Sequence, residues 1–136
     1  MRKNYKDFIF PALVLFISLG VFQLGAADFE KVLGEWDLEI DAGGEYYYLT
    51  MKISAAEGSL QGTISEANGY FFDVPLKDIL LDGSVLSMKF TSPTPPDGLE
   101  REVVCSYEVG DDVLEGTIAL EEVELIAPVV GTRGKK

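Results

Sequence analysis

The segment Gly34–Asp41, Gly-Glu-Trp-Asp-Leu-Glu-Ile-Asp, alternates acidic and apolar side chains over its last seven residues. Trp36, Leu38 and Ile40 fall on one face of an extended chain, and the acids fall on the other. A period of two over this length predicts a β-strand with one buried and one solvated face. We therefore interpret this segment as the first strand of a sheet that covers a shared core.

The same alternation continues to the C-terminal region, with short turns of glycine, asparagine and aspartate between the runs. Pro75 interrupts one run and predicts a bulge or an edge-like break there. The eight predicted strands are Gly34–Asp41, Glu45–Ser54, Leu60–Ile64, Tyr70–Leu81, Val85–Thr91, Glu100–Val109, Leu114–Leu120 and Val123–Arg133. The pattern predicts an all-β fold, an eight-stranded antiparallel up-and-down barrel, since closure leaves no exposed sheet edge.

The sequence also contains an internal repeat. Shifting the chain by 54 residues lays Ser59–Ile64 on Val113–Ile118, so that Gly62 falls on Gly116. Glycine inside a strand weakens it unless the backbone coils sharply or another segment approaches closely. We therefore expect both glycines to mark bends of a small barrel, although a chance match in a glycine-rich chain is the alternative.

The composition excludes several kinds of site. The chain has no histidine and a single cysteine, Cys105, so His-based triads, His-ligated metal sites and an internal disulfide are excluded. The serines have no histidine to activate them, and the acids of the first strand have the regular spacing of a solvated face. We predict that the protein is not an enzyme and that it has no metal site and no cofactor.

The N-terminal region has the order of an export signal. A basic start is followed by Phe8–Leu24, which carries no charge, and then by Gly25-Ala26-Ala27. This predicts a signal peptide over residues 1–27 and a single domain over residues 28–136, in a secreted or periplasmic protein. Retention of the segment as a membrane anchor is the alternative, because its length is at the short limit for a membrane span.

Cleavage would leave a strongly acidic chain with no stable membrane span. Three cations and one acid are lost, so 8 cations remain against 22 acids and the net charge is −14. Such a charge repels phosphates. We therefore expect no binding to nucleic acid or to an anionic membrane.

Two motifs carry a resemblance to a known family. Gly34-Glu35-Trp36 at the first strand resembles the G-x-W motif of lipocalin-like (calycin-type) barrels, and Arg133 stands where those families carry an arginine that packs on the tryptophan. The segment Gly58–Thr63 is similar to the second hairpin of avidin-type chains. The resemblance implies a barrel closed structurally by Trp36 and Arg133, like the short lipocalin-like domains of bacterial secreted proteins. Because the chain has one tryptophan, it does not imply biotin binding.

Two surfaces are candidates for binding. The alternation turns a set of aromatic and methionine side chains into the lumen, and these suit a small apolar or amphipathic ligand unless they simply fill the barrel. They are Tyr47, Met51, Phe72, Met88, Phe90 and Tyr107. The rival is a protein-binding module with a filled core, such as an inhibitor or accessory subunit, using outer tyrosines and a stiff proline-rich loop. Its contact residues are Tyr46, Tyr48, Pro95 and Pro96.

Overall fold

Antiparallel strands make up most of the computed structural model, which describes residues 29–95 and 97–134. The predicted signal peptide and Pro96 lie outside the described residues. The strands are β1 Gly34–Ala42, β2 Glu45–Ala56, β3 Ser59–Glu66, β4 Val74–Pro75, β5 Lys77–Asp82, β6 Val85–Pro93, β7 Glu100–Gly110, β8 Val113–Leu120 and β9 Leu125–Arg133. A short 3-10 helix, Glu121–Val123, joins the last two.

These strands form one sheet that curls into a nearly closed barrel. Their order is β4-β3-β2-β1-β9-β8-β7-β6-β5, and every neighbouring pair is antiparallel. The first and last long strands pair directly, with Trp36 opposite Arg133. The two ends of the sheet meet at Leu76, whose backbone N–H donates to the Gly62 carbonyl at 2.9 Å. The all-β, antiparallel architecture predicted from the sequence is therefore present.

The structure has nine strands among the described residues, not the predicted eight. The predicted strand Tyr70–Leu81 is replaced by β4 and β5, which flank the buried Leu76. Pro75 has no N–H to donate, Asp78 takes a φ of 52°, and the pairing register with β6 shifts between Lys77 and Leu80. A proline and a bulge next to each other break one strand into two.

Because of the same irregularity, the prediction that Phe72 points into the lumen is wrong. Its side chain is 77% exposed and does not point into the lumen. Phe71 is half-buried instead, and its ring centroid lies 5.7 Å from that of Phe90. The chain from Tyr70 to Asp73 is not a strand, so a period of two cannot be carried through it.

The two hairpins of the internal repeat have identical strand-pairing registers. Gly62 faces Ile53 in the β2–β3 pair, and Gly116 faces Tyr107 in the β7–β8 pair, 54 residues further along on both strands. A Cβ atom on Gly62 would lie 2.2 Å from the Lys52 carbonyl oxygen, and one on Gly116 would lie 1.8 Å from the equivalent Ser106 oxygen. Both glycines are therefore required because a neighbouring backbone occupies the space of a side chain.

One end of the barrel is closed by an aromatic and cationic contact. The Arg133 guanidinium carbon lies 4.0 Å from the Trp36 ring centroid, and the fully buried indole donates through Nε1 to the Val32 carbonyl at 3.0 Å. Arg133 also donates to the carbonyls of Leu33 and Lys31. A cation over a partly desolvated indole stabilises by about 1 kcal/mol or more. We call this end of the barrel the closed end.

Candidate functional site: the open end of the barrel

An apolar cavity occupies the end of the barrel opposite Trp36. We call it the open-end cavity; its volume is about 80 Å³. It lies below the connections β1–β2, β3–β4, β6–β7 and β8–β9. Apart from a few polar residues at the rim, its walls are aliphatic, aromatic or proline. The described residues that line it are Ile40, Ala42, Tyr47, Leu49, Glu66, Tyr70, Phe71, Phe90, Ser92, Pro93, Thr94, Pro95, Val103, Ile118, Leu120, Leu125 and Ala127.

The predicted lumen residues divide between this cavity and the packed interior below it. Tyr47 and Phe90 line the cavity. Met51, Met88 and Tyr107 are fully buried and pack in the core. The barrel is therefore packed over its closed half and hollow near the open end, which combines the two alternatives that the sequence left open.

A larger depression lies elsewhere on the described residues and is a poorer candidate. It measures about 660 Å³ and runs over Lys52, Gln61 and Thr63 on the outside of the sheet. Half of the residues that line it are polar or charged, and most of these side chains are exposed to water. Small-molecule sites are typically concave and apolar with a few polar groups, which fits the open-end cavity better.

A buried carboxylate shapes one side of the mouth. Glu66, at the end of β3, accepts hydrogen bonds from the backbone N–H groups of Asn68 at 2.7 Å and Tyr70 at 3.2 Å. These bonds fold the β3–β4 connection so that Tyr70 and Phe71 reach the cavity. Sequence reasoning missed Glu66, although it follows Gly62 and Ile64 on the inward-facing positions of β3.

A buried arginine shapes the opposite side. Arg101 donates two hydrogen bonds of 2.8 Å to the Asp97 carboxylate and one of 2.9 Å to the Thr94 hydroxyl, and it lies 3.5 Å from Glu122. These contacts hold Thr94 and Asp97 of the proline-rich connection between β6 and β7, and Pro95 of the same connection lines the cavity. The bonds from Arg101 hold the pKa of Asp97 at about 2, so this contact remains charged until well into acid. Sequence reasoning missed Arg101, a charge at an inward-facing position of β7.

Tyr47 is a wall residue whose hydroxyl contacts an acid. Its hydroxyl donates to Glu45 at 3.0 Å. Partial burial raises the pKa of Tyr47, and the bond to Glu45 raises it further. The hydroxyl therefore stays neutral and its ring presents an apolar face to the cavity.

The core below the cavity contains Cys105 and Tyr107 on one face of β7. Burial raises the pKa of the Cys105 thiol to about 12, and the pKa of Tyr107 is also raised by burial. The Tyr107 hydroxyl makes no hydrogen bond of normal geometry within the described residues, and its polar neighbour is the Cys105 thiol. The two side chains therefore pack in the apolar core and do not form a nucleophilic centre.

We expect the Cys105 thiol to be inert in the folded protein. Its thiolate fraction at pH 8 is on the order of a thousandfold lower than for an ordinary cysteine, and the side chain is fully buried. Iodoacetamide labelling followed by mass spectrometry should therefore be negligible in buffer and rapid in concentrated urea. Equal labelling rates in the two conditions would show that Cys105 is accessible.

The described residues offer no metal-binding arrangement and no membrane-spanning helix. No group of three or more cysteine, aspartate or glutamate side chains could hold an ion in residues 29–95 and 97–134. Within the same residues, no helix has both the length and the hydrophobicity to cross a bilayer.

The residues predicted for protein contact are placed on two different surfaces. Tyr46 and Tyr48 are 52% and 50% exposed on the outer face of β2. Tyr48 lies opposite Glu39, which in turn lies opposite the exposed Val130. Pro95 is exposed at the cavity mouth, and the fourth predicted contact residue, Pro96, lies outside the described residues.

No protein-family model matches the chain, and no curated protein matches it. Among solved structures, the chain is similar to a mutant of the fluorescent protein UnaG, with 18% sequence identity and a TM-score of 0.49. The match covers 79% of this chain and 99% of that chain. At this level of likeness no ligand or activity is inferred, and the fold and the site rest on the geometry of this chain.

Proposed function

We propose that the protein binds a small apolar or amphipathic molecule at the open end of the barrel, without catalysis. The observation that carries this proposal is the open-end cavity, an apolar hollow above a core of buried side chains. An unfilled apolar space forfeits contact energy, so folding stability alone gives no reason for it. The cavity is accounted for if a ligand completes the packing.

The size of the cavity limits its occupant. Pockets for drug-sized molecules measure roughly 300–1,000 Å³, whereas this one measures about 80 Å³. A cavity of this volume admits only a small apolar group or the end of a hydrocarbon chain. The rest of an amphipathic ligand lies at the mouth, between the Glu66 turn and the proline-rich loop.

The chemistry of the walls is that of a binder. The chain contains no histidine, and the buried Ser92 hydroxyl donates to the Pro93 carbonyl, not to a base. A serine hydroxyl is a weak nucleophile unless an adjacent general base activates it. We therefore propose binding alone.

Filling the cavity tests this function. Ala127→Leu extends a wall residue of the cavity by an isopropyl group. It should weaken binding of the neutral dye N-phenyl-1-naphthylamine, whose phenyl ring is the part that would enter, about tenfold or more, since about 1.4 kcal/mol corresponds to a factor of ten. Ala119→Leu is the matched control, because Ala119 lies on the same sheet with its side chain turned to the outer face. Fluorescence titration measures both affinities, and urea unfolding checks that each variant is folded. Equal affinity in both variants would exclude the cavity as the site.

We further propose that the protein is exported and acts in a secreted or periplasmic setting. The support is the order of basic, apolar and small residues before position 28. N-terminal sequencing of the protein from its own host should begin at Asp28. An intact Met1 would instead support the retained anchor.

A protein-binding module is the second candidate, and the exposed outer face of β2 favours it. Tyr46 and Tyr48 are half exposed there, and tyrosine is enriched in protein-contact surfaces. Native mass spectrometry of protein from its host separates the two functions. A co-purifying small mass supports ligand carriage, and a co-purifying polypeptide supports the module.

A further inference from the structure

Acidic residues line the open-end cavity or lie directly beside its wall residues. Glu66 lines it, and Glu45 holds the hydroxyl of the wall residue Tyr47. Glu121 and Glu124 lie in the connection between β8 and β9, directly beside two further wall residues, and both are exposed. The mouth is thus negatively charged, whereas the hollow below it is apolar.

Positive charge at the mouth is already neutralised. None of the described residues that line the cavity is a lysine or an arginine. Arg101, the nearest buried cation, is held by the Asp97 carboxylate at 2.8 Å and by Glu122 at 3.5 Å. An anionic head group entering the mouth would have to displace a carboxylate from Arg101 and would meet the other acids.

We propose that the ligand is a cationic amphiphile, with its hydrocarbon end in the cavity and its ammonium group at the mouth. This inference rests on the proposed function and specifies its ligand class. Opposite charges attract across the mouth, and the rings of Tyr47 and Tyr70 offer faces on which an ammonium group is favourable. Fatty carboxylates of the same length are disfavoured by the same acids.

A series of ligands with one tail and three head groups tests the inference. Octylamine, octanol and octanoate compete against N-phenyl-1-naphthylamine on the purified full chain at neutral pH. At about 10 mM salt, where the screening length is about 30 Å, we expect the amine to bind about tenfold more tightly than the carboxylate, with the alcohol between them. At about 1 M salt the screening length falls to about 3 Å, and the preference should nearly disappear.

Paired variants show whether the mouth acids cause the preference. Glu45→Gln with Glu66→Gln removes two charges at the mouth, and the amide oxygen introduced by the second substitution can still accept from the turn. Asp111→Asn with Glu115→Gln is the control, because it removes the same charge from the β7–β8 turn and the outer face. We expect the first pair to reduce the amine preference to about threefold or less and the second to leave it near tenfold. Should the Glu66 substitution prevent folding, Glu45→Gln with Glu121→Gln replaces it.

The outcomes separate this inference from the function beneath it. Tighter binding of the amine that depends on salt and on the mouth acids supports the inference. Binding of the alcohol with equal or tighter binding of the carboxylate overturns the cationic class while leaving the proposed function intact. Failure of all three ligands and of the dye to bind overturns both.

Discussion

Gly116→Val is expected to prevent folding, with a loss of about 4 kcal/mol or more in the free energy of unfolding. The first atom of any side chain there would lie 1.8 Å from the Ser106 carbonyl oxygen and 2.8 Å from the Tyr107 Cα. Both obstacles are backbone atoms of a paired strand, so a rotamer change cannot relieve the overlap. The β7–β8 ladder would have to separate, and the barrel would open at its middle.

Circular dichroism and urea unfolding measure this effect, with Thr117→Val as the matched control. Thr117 is the next residue on β8, is exposed, and already carries a β-branched side chain. The control should unfold at the wild-type urea concentration. Gly62→Val should behave like Gly116→Val, because its side chain would meet the Lys52 carbonyl oxygen at 2.2 Å. Wild-type unfolding of both glycine variants would refute the close approach at these positions.

Trp36→Ala is expected to lower the free energy of unfolding by about 3–5 kcal/mol, the range for removing a large aromatic side chain from a core. The indole is fully buried, donates to the Val32 carbonyl and lies under the Arg133 guanidinium. Its removal leaves a void at the closed end and takes the ring away from the cation. The segment before β1 loses the hydrogen bond between the indole and the Val32 carbonyl.

Urea unfolding of Trp36→Ala and Trp36→Phe distinguishes the parts of this effect. Phenylalanine keeps an apolar ring beneath Arg133 but cannot donate to the Val32 carbonyl. We expect it to cost clearly less than alanine, because most of the burial is kept. A change within about 0.5 kcal/mol for Trp36→Ala would be that of a surface site and would contradict the buried placement.

Gly34, two residues before Trp36, is required because of its backbone conformation. Gly34 takes a φ of 112°, a backbone conformation that residues with a Cβ rarely adopt, and a Cβ there would lie 3.2 Å from an Arg133 nitrogen. In the motif Gly34-Glu35-Trp36, the glycine is therefore required for its backbone conformation and the tryptophan for its packing at the closed end.

Much of the fold could be predicted because it depends on which face of its own strand each side chain occupies. Trp36, Met51, Met88 and Tyr107 occupy apolar positions of alternating runs, and the structure buries all four. The shift of 54 residues also predicted an equivalent pair of hairpins, and the registers of the two pairs agree residue by residue. A period of two is a property of the extended chain itself, so neighbours in the sequence suffice to reveal it.

Prediction failed where the backbone leaves this regular geometry. Asp73 and Asp78 both take positive φ values near Pro75, and the alternation does not survive across them. The alternation consequently predicts the wrong side for Phe72. Positive φ at a residue other than glycine depends on what its neighbours in space allow, and no local pattern shows it.

By itself, the sequence determined that this chain forms strands with an apolar inner face and an acidic outer face. Only the tertiary structure decided that the barrel is packed at the Trp36 end and hollow at the other, and that Glu66 and Arg101 shape the mouth. The reason is physical. Which side a residue faces depends on its own strand, whereas the space left between facing residues depends on strands far apart in the chain that meet only when the barrel closes.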